Sequence, residues 1–163
     1  MRAHQGGHPT AAQSIGDYYL KGEDFPKDRA AGIDWYRQSA ARGAVSGNAG
    51  LARLIEKGTP DERREALQAW AFVAWRGSEK AATEARAKLA GADATDLAAT
   101  LQTVLAQAGF DVGTADGQLG PKSRAAMAEL QSQTGTTADD PATLLPQAVG
   151  YLFFRGKPRI DLF

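Results

Sequence analysis

The sequence predicts an all-α protein, in which a short solenoid of helical hairpins precedes a small three-helix domain. Strand signals are nearly absent, because no long stretch alternates with period two and alanine, a poor strand former, is abundant. Glycines and helix-capping residues divide the chain into segments of helical length. Because the connections between these segments are short, neighbouring helices are expected to pack antiparallel.

The first three predicted helices each end at a glycine. They extend from Thr10 to just before Gly22, from Asp28 to Arg42, and from Ser46 to Lys57. Glycine readily adopts the left-handed conformation that ends many helices.

The fourth helix has the clearest start signal. In Thr59-Pro60-Asp61-Glu62, threonine is a helix cap, proline suits the first helical position and Glu62 can complete a capping box. This helix is predicted to end at Arg76, and Ser78 is predicted to cap a fifth helix that ends near Ala90.

The last three helices form the predicted C-terminal domain. Thr95 or Asp96 is the expected cap of the first, and Pro121 the expected first residue of the second, which ends near Gly135. Asp140-Pro141 begins the third, which Pro146 is expected to shorten, bend or restart.

The N-terminal helices contain a weak internal repeat. Ile15-Gly16 and Leu51-Ala52 each lie seven residues before a glycine and 36 residues apart, and the same offset from Trp35 reaches Ala71, beside Trp70. A period of this length with two helices in each unit is typical of a helical solenoid.

This segment resembles the Sel-one-like repeats, which are relatives of the tetratricopeptide repeat. The resemblance rests on Ile15-Gly16-Asp17-Tyr18-Tyr19, Gly22, Lys27-Asp28 and the stretch from Trp35 to Gly43. It implies a scaffold for an unidentified protein partner. Trp35, Tyr36, Trp70 and Phe72 are expected in the core, whereas the candidate partner-binding residues are Tyr18, Tyr19 and Trp75.

The C-terminal segment resembles the three-helix type of bacterial peptidoglycan-binding domain. The motifs that carry the resemblance are Leu101-Gln102, Leu105, Ala108-Gly109-Phe110, Asp116-Gly117-Gln118-Leu119-Gly120-Pro121, Arg124-Ala125-Ala126 and Leu130-Gln131. The resemblance implies peptidoglycan as a partner. The candidate contacts are Asp111, Asp116, Arg124 and Gln131, although Asp116 also suits a role in bracing the loop backbone.

Several classes of function are disfavoured by composition. Basic and acidic residues balance at 19 each, so no nucleic-acid partner is expected. The chain has no cysteine, and its only histidines, His4 and His8, lie in a glycine-rich N-terminal stretch. We therefore expect no catalytic residues, no metal site and no cofactor.

The expected domain boundaries are a flexible N-terminus (1–9), repeats (10–90), a linker (91–94), a peptidoglycan-binding-like domain (95–154) and a tail (155–163) that docks on the protein. The expected function is a non-catalytic adaptor of the bacterial cell envelope. No signal peptide and no membrane span are predicted, so a periplasmic location implies a longer exported protein. The alternatives are a pure protein-interaction scaffold and an accessory region of a cell-wall hydrolase.

Overall fold

The computed structural model describes residues 9–22 and 26–155. The described residues form eight α-helices and no strand. In chain order the helices are α1 (Pro9–Lys21), α2 (Arg29–Ala41), α3 (Val45–Ile55), α4 (Pro60–Arg76), α5 (Glu79–Ala90), α6 (Ala94–Gln107), α7 (Pro121–Thr134) and α8 (Pro141–Arg155). The predicted all-α class is confirmed, and the expected tail lies outside the described residues except for Arg155.

Local sequence signals set most helix boundaries. The Thr59 hydroxyl oxygen accepts a hydrogen bond from the Glu62 backbone N–H, and the Glu62 carboxylate accepts one from the Thr59 backbone N–H, which completes the predicted capping box. Ser78 caps α5 as predicted, and Asp28 caps α2. Gly135 ends α7 in the left-handed conformation, with φ of 72°.

Two details of the C-terminal helices differ from the prediction. The cap of α6 is Asp93, whose carboxylate accepts hydrogen bonds from the backbone N–H groups of Thr95 and Asp96. The third helix of this region, α8, continues through Pro146 instead of being shortened or restarted there. Proline provides no N–H for an intrahelical bond, but the buried Leu145 and Ala148 on either side hold α8 in the core.

The N-terminal helices pack as consecutive hairpins. α1 packs on α2, α2 on α3, and α3 on α4. At the crossing of α1 and α2, a Cβ atom on Gly16 would lie 3.1 Å from the Gly32 carbonyl oxygen, and one on Gly32 would lie 3.2 Å from that of Gly16. This close approach explains why small residues occupy both positions.

A single apolar core joins the N-terminal and C-terminal helices. α4 lies at its centre and contacts α3, α5, α6 and α8. Of the four aromatic residues expected in this core, Tyr36, Trp70 and Phe72 are buried, whereas Trp35 is half-buried. The two predicted segments therefore pack against each other directly.

Candidate functional site

The loop between α6 and α7 contains three glycines in the left-handed region. The φ angles are 95° at Gly109, 71° at Gly113 and 83° at Gly117. Two apolar side chains of the loop, Phe110 and Val112, are buried and anchor it to the core. The glycines thus let the backbone turn sharply at three points, while the two buried side chains hold the loop on the core.

Gln102 of α6 organises this loop from inside the protein. Its side chain is fully buried, and its Oε1 atom accepts a hydrogen bond of 2.8 Å from the Gly117 backbone N–H. Its Nε2 atom donates to the carbonyl oxygens of Gln118 at 3.0 Å and Thr114 at 3.2 Å. One amide side chain therefore provides hydrogen-bond partners for backbone groups of the loop that regular secondary structure would otherwise pair.

Ser123, in the first turn of α7, extends the same network. Its hydroxyl accepts a hydrogen bond of 2.9 Å from Gln102 Nε2 and donates one of 3.0 Å to the Val112 carbonyl oxygen. Neither Gln102 nor Ser123 is among the site residues predicted from the sequence. A signal was present at Gln102, because it shares a helix face with Ala98 and Leu105 at spacings of four and three residues and is polar there.

Asp111 is an exposed residue at the start of the loop. Its Oδ2 atom lies 2.9 Å from Lys122 Nζ, and its Oδ1 atom accepts a hydrogen bond from the Gly113 backbone. The Lys122 ammonium and the Gly113 N–H hold the pKa of this carboxyl below its ordinary value. The pair presents a carboxylate and an ammonium group to solvent.

Asp116 and Arg124 border the same loop. Asp116 is exposed, and its Oδ1 atom accepts a hydrogen bond of 2.8 Å from the Gln118 backbone. Arg124 is exposed, and its Nε atom donates to the Leu119 carbonyl oxygen at 2.8 Å. Both side chains brace the loop, and Arg124 still presents its terminal guanidinium nitrogens for a ligand.

Gln131 lies away from the other candidate contacts. It is seven residues beyond Arg124, which corresponds to about 10 Å along α7. Its Nε2 atom donates a hydrogen bond of 2.6 Å to the Ala138 carbonyl oxygen, so it tethers the α7–α8 connection. The structure thus places Asp111 and Asp116 in the loop, Arg124 in the first turn of α7 beside it, and Gln131 at the opposite end of α7.

The candidate partner-binding aromatics occupy two different places. Tyr18 is exposed and Tyr19 half-buried on α1. Trp75, at the end of α4, is half-buried, and its ring contacts Phe72, Phe153 and Phe154 with centroid separations of 5.3–5.6 Å. Trp75 therefore belongs to an aromatic cluster shared by α4 and α8, and the tyrosines do not.

A groove that the sequence analysis did not predict lies beside this cluster. It has a volume of about 520 Å³ and is lined by residues of α2, α3, α4, α6 and α8. Because its walls combine three consecutive helices, α2 to α4, with α6 and α8 from the other end of the chain, no local pattern could have revealed it.

No group of three or more histidine, cysteine or acidic residues within ranges 9–22 and 26–155 is arranged to hold a metal ion. None of the helices described for the chain has the length and apolar character needed to cross a bilayer.

Comparison with known proteins gives one match. The family described as "putative peptidoglycan binding domain" matches residues 95–144, which include α6, the glycine loop, α7 and the start of α8. No curated protein and no solved structure matches the chain. The C-terminal part of the chain is therefore similar to this family of putative peptidoglycan-binding domains.

Proposed function

We propose that this protein is a non-catalytic adaptor of the bacterial cell envelope, in which the C-terminal domain binds peptidoglycan and the N-terminal helices bind a protein. The observation that carries the proposal is the family match over residues 95–144. A periplasmic location follows from this proposal, because peptidoglycan lies outside the cytoplasmic membrane.

The chemistry of the glycine loop supports peptidoglycan as the ligand. Peptidoglycan offers sugar hydroxyls together with the carboxylates and amines of its peptides. The loop presents the Asp111 carboxylate beside the Lys122 ammonium, and Arg124 can pair with a carboxylate through its terminal nitrogens. The Gln102 network fixes the loop before any ligand arrives, which lowers the entropic cost of binding.

The paired helices of the N-terminal region support the protein-binding half of the proposal. Successive hairpins, small residues at a helix crossing and a 36-residue offset are features of Sel-one-like repeats, which we propose for residues 10–90. Tyr18, Tyr19 and Trp75 remain the proposed contact residues for a partner.

Sedimentation with purified sacculi tests peptidoglycan binding. We expect the protein to pellet with the sacculi, and the Arg124→Gln variant to pellet less. The matched control is Lys80→Gln, which removes one exposed positive charge from α5, and this variant should pellet like the unmodified protein. Circular dichroism of both variants checks that they fold.

A protein that stays wholly in the supernatant would support a second function, a protein-interaction scaffold without glycan binding. The specific observation that favours this alternative is the α7–α8 connection, where Thr136-Thr137-Ala138-Asp139 stands in place of the family's second glycine turn. A third alternative is an accessory region of a cell-wall hydrolase. Reading the full open reading frame for a catalytic domain tests it.

A further inference from the structure

The groove between the N-terminal helices and α8 forms where the two parts of the chain meet. On α4 its lining residues are Glu65, Gln68, Ala69 and Phe72, which share one face of the helix. From Glu65 to Phe72 this wall extends about 10 Å along the helix axis. The α8 residues of the groove lie within 149–153, beyond the segment that the family model matches. The groove is therefore separate from the glycine loop.

The groove is mostly apolar, and its charged groups already have partners. Arg37 donates to both carboxylate oxygens of Glu65 at 2.8 Å each and to Asp34 at 3.0 Å. Among the described residues, no other charged side chain lines the groove. A charged ligand would find no unpaired counter-charge there, so the groove suits a neutral one. The apolar surface is provided mainly by Ala40, Leu51, Ala69, Phe72, Val149 and Leu152.

Asn48 of α3 brings an unpaired acceptor to the groove. The residue is 7% exposed, and its Nδ2 atom donates to the carbonyl oxygens of Ala44 at 2.9 Å and Ala40 at 3.3 Å. Its Oδ1 atom accepts no hydrogen bond from any residue that the structure describes. Every fully enclosed side-chain oxygen or nitrogen in the same part of the chain has a partner, so this oxygen is open to the groove that Asn48 lines. A nearly buried acceptor of this kind is stabilised by a ligand that supplies an N–H group.

Two glutamine side chains add further free amides. Gln68 of α4 is half-buried, Gln107 of α6 is exposed, and both line the groove. Neither side chain has a hydrogen-bond partner within the described ranges. An amide carries both donors and an acceptor, as does almost every residue of a peptide backbone. Three amides around an apolar floor thus complement the groups that a peptide segment offers.

We propose that the groove binds an extended, neutral segment of the protein partner, through its backbone and two apolar side chains. A helix pairs its own backbone groups, whereas an extended segment presents them to Asn48, Gln68 and Gln107. Side chains of an extended segment alternate between its two sides, so those of residues i and i+2 contact the apolar floor. The wall of about 10 Å corresponds to about three extended residues.

The partner is the protein of the proposed function, so the inference rests on that half of it and is independent of glycan binding. A phage-displayed library of random linear octapeptides, selected on the full-length chain, provides the probe. We expect enriched sequences with apolar residues at positions i and i+2 and no recurrent charge. Synthetic copies with blocked termini are titrated by calorimetry, and they should shift the amide NMR signals of Leu51, Ala69 and Val149.

Two tryptophan substitutions locate the bound peptide. Ala41 is exposed and lines the groove, whereas Ala87 is exposed on α5, which provides no residue to it. Ala41→Trp should weaken binding about tenfold or more, because the indole obstructs the groove. Ala87→Trp should leave the affinity unchanged. Circular dichroism of both variants checks that they fold.

Two further changes test the pairing of the peptide backbone with the amides. Gln68→Ala should weaken binding about fivefold through the loss of one hydrogen-bonding group. The matched control Gln147→Ala, at an exposed position of α8 outside the groove, should have no effect. A selected peptide with N-methyl groups on two central amides cannot donate from these positions, and it should bind about tenfold more weakly.

Three results would overturn the proposal. The first is a library that enriches no neutral sequence. The second is equal binding to Ala41→Trp and the unmodified chain, which places the peptide elsewhere and leaves the protein-binding half of the proposed function standing. The third is undiminished binding of the N-methylated peptide, which means that the groove takes apolar side chains without pairing a backbone. Self-association of the chain that Ala41→Trp abolishes would instead identify a second copy as the occupant, and would also overturn it.

Discussion

Asp96 of α6 accepts a hydrogen bond of 2.8 Å from Arg63 Nε of α4, so a charged pair joins the N-terminal helices to the domain that carries the glycine loop. Arg64, on the same helix, lies 3.7 Å from the other carboxylate oxygen of Asp96. The Asp96 side chain is only 11% exposed, whereas that of Arg63 is 42% exposed. The carboxylate therefore depends on the two arginines for the charge compensation that water would otherwise provide.

A double-mutant cycle between Arg63→Gln and Asp96→Asn should measure this link. We expect a coupling free energy of about 1–2 kcal/mol in urea unfolding, because one partner is nearly buried. The control cycle uses Arg53→Gln and Glu84→Gln, an exposed pair whose side chains are 52% and 42% accessible. That pair should couple by less than about 1 kcal/mol. Equal coupling in the two cycles would show that burial of Asp96 is unimportant.

Replacing Gln102 should destabilise the protein more than any exposed polar substitution. Gln102→Met keeps a side chain of similar length but leaves the Gly117 N–H and the Gln118 carbonyl oxygen without their partner. We expect a loss of about 2–4 kcal/mol in the free energy of unfolding. Gln107→Met, on an exposed position of the same helix, should change it by less than about 0.5 kcal/mol. Similar unfolding curves for the two variants would contradict the structural role of Gln102.

Three glycine-to-alanine substitutions should lower the free energy of unfolding by different amounts, most at Gly117, less at Gly109 and least at Gly120. At Gly117, φ is 83° and a Cβ atom would lie 2.6 Å from Thr95 Cγ2 and 2.7 Å from the Thr95 carbonyl oxygen. At Gly109, φ is 95° but no atom lies within 4 Å of such a Cβ. At Gly120, φ is −73° and the space is also empty. The three positions therefore separate a steric clash from backbone strain.

We expect Gly117→Ala to cost about 3 kcal/mol or more, since strain and overpacking add. Gly109→Ala should cost about 1–2 kcal/mol from strain alone, and Gly120→Ala should change stability by less than about 0.5 kcal/mol. Thermal unfolding of the three variants provides the measurement. Any other order would mean that the loop relaxes around Gly117.

The sequence predicts features that depend on neighbours along the chain and misses those that depend on distant ones. The capping box of Thr59 and Glu62 is local and was predicted residue by residue. At α6, Asp93, Thr95 and Asp96 can all act as caps, and Asp93 takes this role while Asp96 faces Arg63, 33 residues away. Pairing across such a separation leaves no pattern in a single sequence.

The candidate site likewise combines features that the local sequence predicts with features that depend on distant residues. The glycine-rich loop between α6 and α7 follows from turn chemistry, which the sequence displays. The arrangement of Gln102 does not, because its partners lie 12–21 residues away. The groove requires the packing of α8 on α4, and no periodicity within either helix specifies that contact.

The stability of the α1–α2 hairpin should fall at high pH because of Tyr36. Its hydroxyl donates a hydrogen bond to the Asp17 carboxylate, and burial together with this charged neighbour raises the pKa of Tyr36 from 10.0 to about 12. The folded protein keeps the phenolic proton after the unfolded chain has lost it, so the stabilisation is complete below pH 10 and is lost between pH 10 and about 12. The free energy of unfolding of the unmodified protein minus that of Tyr36→Phe should therefore decrease by up to about 1.4 kcal/mol for each pH unit in that interval.

Because lysines also titrate there, only this difference is diagnostic, and Asp17→Asn should narrow the interval by removing the negative charge. Unfolding curves that stay parallel for the unmodified protein and Tyr36→Phe up to pH 12 would show that the hydroxyl is not held in its neutral form by the folded hairpin.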